Sequence, residues 1–134
     1  MYEENFFDLS IQDNHNGNKN LLKVQITTHS DGRSVEEAIK NLERSISFYT
    51  KPMNATINTH KPEWKDDGYG FVNYYLDAPE GIWASLIKNR SGSYSLHVLV
   101  ECSGIIFNQE AVKKAEHLLH KALSYIKAIK HPDF

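Results

Sequence analysis

The densest run of reactive side chains is Trp64-Lys65-Asp66-Asp67-Gly68-Tyr69, where two adjacent carboxylates lie between two aromatics. Paired acids can hold a cation or move a proton. In a Gly-containing loop such acids are more often simply solvated, and aromatics that bracket charge are typical of protein-binding surfaces. The run therefore reads first as a structural loop, next as a partner contact made by Trp64, Asp66, Asp67 and Tyr69, and last as a catalytic or metal centre. The last reading needs a histidine such as His60 gathered with Asp66 and Asp67 in a deep pocket.

Glu116-His117-x-x-His120 has the outline of a metal motif. Zinc, however, needs three or four converging ligands. At ~100° per residue the apolar stripe of this segment centres on Ala115 and Leu119. His117 and His120 then point nearly opposite, and they are expected on a solvated face with Lys113 and Lys121. Neither a Gly-rich phosphate loop nor a Gly-x-Ser-x-Gly elbow occurs. Cys102 is the only cysteine, so no intramolecular disulfide can form, and near a strand end it reads as a small buried hydrophobe. The seven histidines are dispersed, and His97 alone stands where a pH-dependent contact is conceivable. The chain is thus expected to be no enzyme, with no catalytic, cofactor or metal-ligating residues.

Those residues sit in a chain of 134 residues, the size of a single domain spanning 1–134. With 40 % hydrophobic and 24 % charged residues it is ordinary for a globular protein able to bury its own core. A net charge of −2 argues against a general nucleic-acid binder. Residues 1–80 carry 13 acids against 8 bases and residues 81–134 carry 4 against 7, giving an acidic front and a mildly basic end. Met-Tyr-Glu-Glu has neither the basic nor the apolar region of a signal peptide, and no apolar run approaches the ~18 residues of a membrane span. A cytoplasmic location and no membrane partner are expected.

The elements that must position these groups follow from periodicity. Phe6–Gln12 and Leu21–Thr28 flank an Asn-Gly-containing polar segment, which predicts a hairpin. Ser34 and Glu37 have the spacing of a capping box, followed by a helix with Val35, Ala38, Ile39, Leu42, Ile46 and Tyr49 on one face and stopped before Pro52. A short strand over Met53–Asn58 and the loop His60–Gly70 come next. Phe71–Asp77, Ile82–Lys88 and Ser93–Glu101 read as a three-stranded meander, and Val112–Ile129 as a long closing helix capped by Asn108 and stopped by Pro132. The fold class is α+β: an antiparallel sheet of about six strands with the C-terminal helix packed on it.

If both meander turns are four-residue loops, Asp77 faces Ile82 and Lys88 faces Ser93. One face then holds Val72, Tyr74, Leu76, Trp83, Ile87, Tyr94, Leu96, Val98 and Val100, an apolar core. The other holds Phe71, Asn73, Tyr75, Ile82, Ala84, Leu86, Ser95, His97 and Leu99. Because side chains alternate strictly across a strand, this division is expected to hold or fail as a unit. The mixed face is either covered by the shorter helix, as an α/β/α sandwich, or left open as a partner site around Phe71, Tyr75 and His97.

The order of hairpin, helix, strand, meander and closing helix resembles the PsbP-like and DcrB-like small α/β/α domains. The likeness is carried by Leu22–Thr28 leading to Asp31-Gly32-Arg33-Ser34-Val35-Glu36-Glu37, by the Gly70–Leu76 strand and by the Ala115–Ile129 helix. It covers most of the chain as a pattern without a specific motif, and the initial Trp-containing segment of such domains is missing. It transfers no functional residue and implies a non-catalytic accessory, adaptor or chaperone role. In type the chain is also similar to small bacterial toxin-immunity proteins. The resulting expectation is a protein-binding module: an immunity-type inhibitor of a cognate toxin, or an adaptor or effector-loading chaperone holding an apolar segment. Its partner-binding residues would be Trp64, Asp66, Asp67, Tyr69, Phe71, Tyr75 and His97.

Overall fold

The computed structural model describes residues 6–13, 21–47, 62–66, 73–78, 81–105 and 110–132. In chain order these form β1 (Phe6–Asp13), β2 (Leu21–Gly32), α1 (Val35–Ser47), β3 (Glu63–Asp66), β4 (Asn73–Asp77), β5 (Ile82–Lys88), β6 (Tyr94–Ile105) and α2 (Glu110–Ala128). The strands pair in the order β1-β2-β6-β5-β4-β3, antiparallel throughout, in one open sheet. The α+β class and the C-terminal helix on an antiparallel sheet follow the expectation. The last meander strand, β6, pairs with β2 of the N-terminal hairpin, so a long β2–β6 ladder from Leu21↔Ile105 to Gly32↔Tyr94 joins the two halves.

One face of this sheet makes the core. Val24 and Ile26 of β2, Leu76 of β4, Ile82, Ala84 and Leu86 of β5, and Leu96, Val98 and Val100 of β6 are all buried on it. Both helices lie on this same face. α1 presents Val35, Ala38, Ile39, Leu42 and Ile46, and α2 presents Ala115, Leu119, Ala122, Leu123 and Ile126. Ser30 on the core side of β2 donates to the Ala38 carbonyl at 2.7 Å, and Lys127 of α2 reaches Glu43 of α1 at 2.7 Å. The two-sided α/β/α layering is therefore not what these helices build. Among the described residues nothing covers the second face.

The α1 start is as expected in type, with one change of partner. The Glu37 N–H donates to Ser34 Oγ at 3.1 Å, while Glu37 Oε1 accepts from the Arg33 N–H at 2.9 Å rather than from that of Ser34. Gly32, just before the cap, lies so close beneath α1 that a Cβ there would collide with the backbone at Glu37 and Ala38. A close strand–helix approach, not a special φ, demands glycine here.

The register of β5 differs from the four-residue-loop expectation. Such loops set Tyr75 opposite Ala84 and Lys88 opposite Ser93, whereas the partners are Tyr75↔Ser85 and Lys88↔Tyr94. In the second loop the Gly92 N–H donates to the Asn89 carbonyl at 3.0 Å and the Asn89 N–H to the Ser93 carbonyl at 2.8 Å, with Gly92 at φ 91°. A turn closed by a left-handed glycine takes one extra residue into the loop. Gly81 has the same φ of 91° in the first loop. Two one-residue slips cancel between β4 and β6 but invert β5 between them. Ile82, Ala84 and Leu86 go into the core, and Trp83, expected there, goes out.

Two further differences concern local structure. The expected loop His60–Gly70 contains a four-residue edge strand at Glu63–Asp66, paired with β4. His120, expected on a solvated face, is only 7 % exposed. It lies seven residues before Lys127, which bridges to α1, and so occupies the flank of α2 turned toward that helix. The strand expected at Met53–Asn58, the hairpin tip, Val72 and the Asn108 cap lie outside the described residues.

Candidate functional site

The open face is built row by row from the strand register. One row runs Tyr75–Ser85–His97–His29 across β4, β5, β6 and β2, and the next includes Trp83–Leu99–Thr27. Tyr75 is 45 % exposed and Trp83 49 %, the large exposed hydrophobics among the described residues. With Leu99, Thr27, Ser85 and His97 they line a shallow cleft of about 320 Å³ whose wall is almost wholly apolar. Aromatics held by a sheet on an uncovered face form a contiguous hydrophobic patch, the feature that marks interaction surfaces.

Beside the cleft lies a polar network. The His29 and His97 rings stack with centroids 4.4 Å apart and planes 13° from parallel. His29 Nε2 is 3.0 Å from Asp31 Oδ1, which also accepts the Ser95 hydroxyl at 2.6 Å. Asn89 Nδ2 donates to Ser95 Oγ and Ser93 Oγ, both at 2.9 Å, tying the β5–β6 loop into the network. The Asp31 carbonyl accepts from Asn41 Nδ2 of α1 at 2.7 Å, so the aspartate is fixed from both sides of the sheet. Partial burial, and after it the like charge of His29, holds the His97 imidazole below its usual range, with Asp31 opposing.

Ser, His and Asp thus occur together, but their bonding is not that of a nucleophile relay. The serine hydroxyl gives its proton to Asp31 directly, and His29 contacts the same carboxylate oxygen. A base-activated serine would instead be bonded to the imidazole. The arrangement orients His29 and braces the sheet.

The expected partner residues divide between the two sides. Tyr75 and His97 share the open face and line the cleft together. Trp64 pairs with Leu76 on the helix-bearing side, half-buried against the core, and its buried Nε1 has no hydrogen-bond partner among the described residues. Asp66 is exposed on that side at the β3 edge, opposite Tyr74. Asp67, Tyr69, Phe71 and His60 lie outside the described residues. On the open side of the same edge, Lys65 Nζ meets Asp77 Oδ2 at 3.0 Å, and the bond and charge of Asp77 raise the lysine's pKa.

Sequence reasoning missed Trp83 and His29. Trp83 was hidden by the loop glycines, whose left-handed conformation reset the register of β5. His29 shared a period of two with Gln25 and Thr27 in β2, a signal that becomes visible only once β2 is paired with β6. Of the remaining groups, Cys102 packs at the core margin beside α2, and burial pushes its thiol pKa up. Burial, then His117, lowers that of His120. Comparisons with protein-family profiles, curated proteins and solved structures find no match for this chain, so its functional reading rests on the geometry of the open face.

Proposed function

We propose that this chain is a non-catalytic protein-binding module that docks its partner on the open sheet face. The carrying observation is the uncovered pair Tyr75 and Trp83, each about half exposed around one apolar cleft on a rigid sheet. Aromatic anchors on a preformed surface give contact area at little cost in conformational entropy. In its concrete form the module is a cytoplasmic immunity-type inhibitor, and the partner is a cognate bacterial toxin. The test is copurification with a toxin encoded beside it. The complex is expected to be lost on Tyr75→Ala or Trp83→Ala while the amide spectrum stays that of the folded chain; a complex that survives both changes removes the reading.

A second reading is an adaptor or effector-loading chaperone that holds an apolar segment of its partner. It is supported by the separation of Trp64 and Asp66 from Tyr75 and His97, which leaves the open face as a docking surface without the β3 edge. The pattern-level likeness to PsbP-like and DcrB-like domains is in keeping with it. Asp66→Ala distinguishes the two: an inhibitor that steers a basic toxin with its acids loses association rate, and a chaperone does not.

A further inference from the structure

The open face carries both halves of a contact that fits itself. Tyr75 and Trp83 project from it about half exposed, and the cleft of about 320 Å³ beside them is lined by Thr27, Ser85 and Leu99. We propose that this face pairs with the same face of a second copy of the chain, Trp83 of each copy entering the cleft of the other across a two-fold axis. The pairing rests on the docking reading above and supplies the occupant of the face while the partner is absent.

Shape is the first support. Along β5 the outward residues run Trp83, Ser85, Ile87, large then small then large, and across the sheet small Ser85 lies between Tyr75 and His97. Two sheets packed face to face, about 10 Å apart, interdigitate such rows. A two-fold contact uses one patch on both copies, so that patch must be its own complement. A projecting ring next to a cleft that can receive a ring meets this demand, and aromatic pairs across the axis add to it. Area is the second support. The six strands lie about 4.8 Å apart and are joined by ladders of about seven pairs on average, which at about 3.4 Å per residue gives a face of roughly 29 by 24 Å. That is on the order of 700 Å² in projection, close to the roughly 800 Å² that a standard interface takes from each partner. Layering is the third support. Both helices are spent on the core face, so among the described elements none remains to form a second layer over the aromatics, and a second copy brings one. Serine, threonine and histidine interrupt the apolar surface, so the pair is weak, with a dissociation constant on the order of 10–100 µM. At the low-micromolar concentrations of an unfolding experiment the single chain prevails.

The test is sedimentation velocity of the natural chain from about 5 to about 500 µM. The mass is expected to climb from 15.4 kDa toward twice that value as concentration rises. Trp83→Ala and Tyr75→Ala should each weaken the association about tenfold or more, whereas Lys40→Ala, on the exposed side of α1, should leave it unchanged. A sample that mixes isotope-labelled and unlabelled natural chain locates the contact without any variant. Isotope-filtered NMR should show Trp83 ring protons of one copy close to the Leu99 and Thr27 methyl groups of the other. A mass of 15.4 kDa at every concentration overturns the pairing, and so does a dimer whose contacts between copies lie on the helices. A chain that stays single yet holds a toxin through Trp83 removes the pairing alone. A dimer formed as described that no toxin divides removes the docking reading alone.

Discussion

The two faces of this sheet are made by the same strands and obey different rules. On the helix side the rows are covered by α1 and α2, and buried Ser30 is satisfied inside by the Ala38 carbonyl. On the open side the rows alternate between exposed aromatics and a hydrogen-bonded cluster around Asp31. Removing a core side chain leaves a cavity that neighbours cannot close. Removing a side chain from the open face leaves only water where a partner would sit. Stability is therefore concentrated on one face, and the proposed docking surface lies on the other.

Substitutions on the core side should break this contrast most visibly. Leu86→Ala, at a fully buried position, is expected to cost about 2–5 kcal/mol in urea unfolding. An unfolding midpoint close to that of the natural chain would mean the core does not lie where β5 places it. Gly32→Ala comes next, at about 1–3 kcal/mol, because the new Cβ meets backbone and not a flexible side-chain end. An unchanged midpoint here would show that α1 can lift off β2.

The histidines sharpen the comparison through pH. His97 and His120 both have lowered pKa values in the folded chain, so the unfolded chain binds more protons near and below the ordinary histidine pKa. The sign follows: stability is full above about pH 6.5 and is lost as pH falls through the lowered folded values. Unfolding at a series of pH values should show this fall, less steep in His120→Gln; stability that rises on acidification contradicts it.

Changes on the open face should be milder. Tyr75→Ala and Trp83→Ala should each alter stability by no more than about 1 kcal/mol while removing partner binding, the inverse of Leu86→Ala. A large loss of stability from Tyr75→Ala would mean that this face is covered in solution. Smallest of all is Glu43→Gln, which breaks the exposed bridge to Lys127 and should cost less than about 1 kcal/mol, by the same unfolding assay.

Much of this architecture was legible in the residues. The α1 capping box, the α1 and α2 stripes and the alternation of Val24 and Ile26 are local signals, set by the 3.6-residue and two-residue periods of the backbone. The candidate site was legible in part: Tyr75 and His97 were named from alternation alone and do share the cleft. The charged neighbours of Trp64 point to a loop or a surface contact, and composition alone carries no record of the edge pairing that turns it toward the core.

By itself the sequence determined that there would be two helices, an antiparallel sheet and a face carrying Tyr75 beside His97. Only the tertiary structure decided that both helices share one face, that Trp83 stands outside, and that His29 stacks on His97. The physical reason is that each of these depends on a register or a side of the sheet. A single left-handed glycine in a loop shifts a register by one residue, and in a strand that moves every side chain to the opposite face.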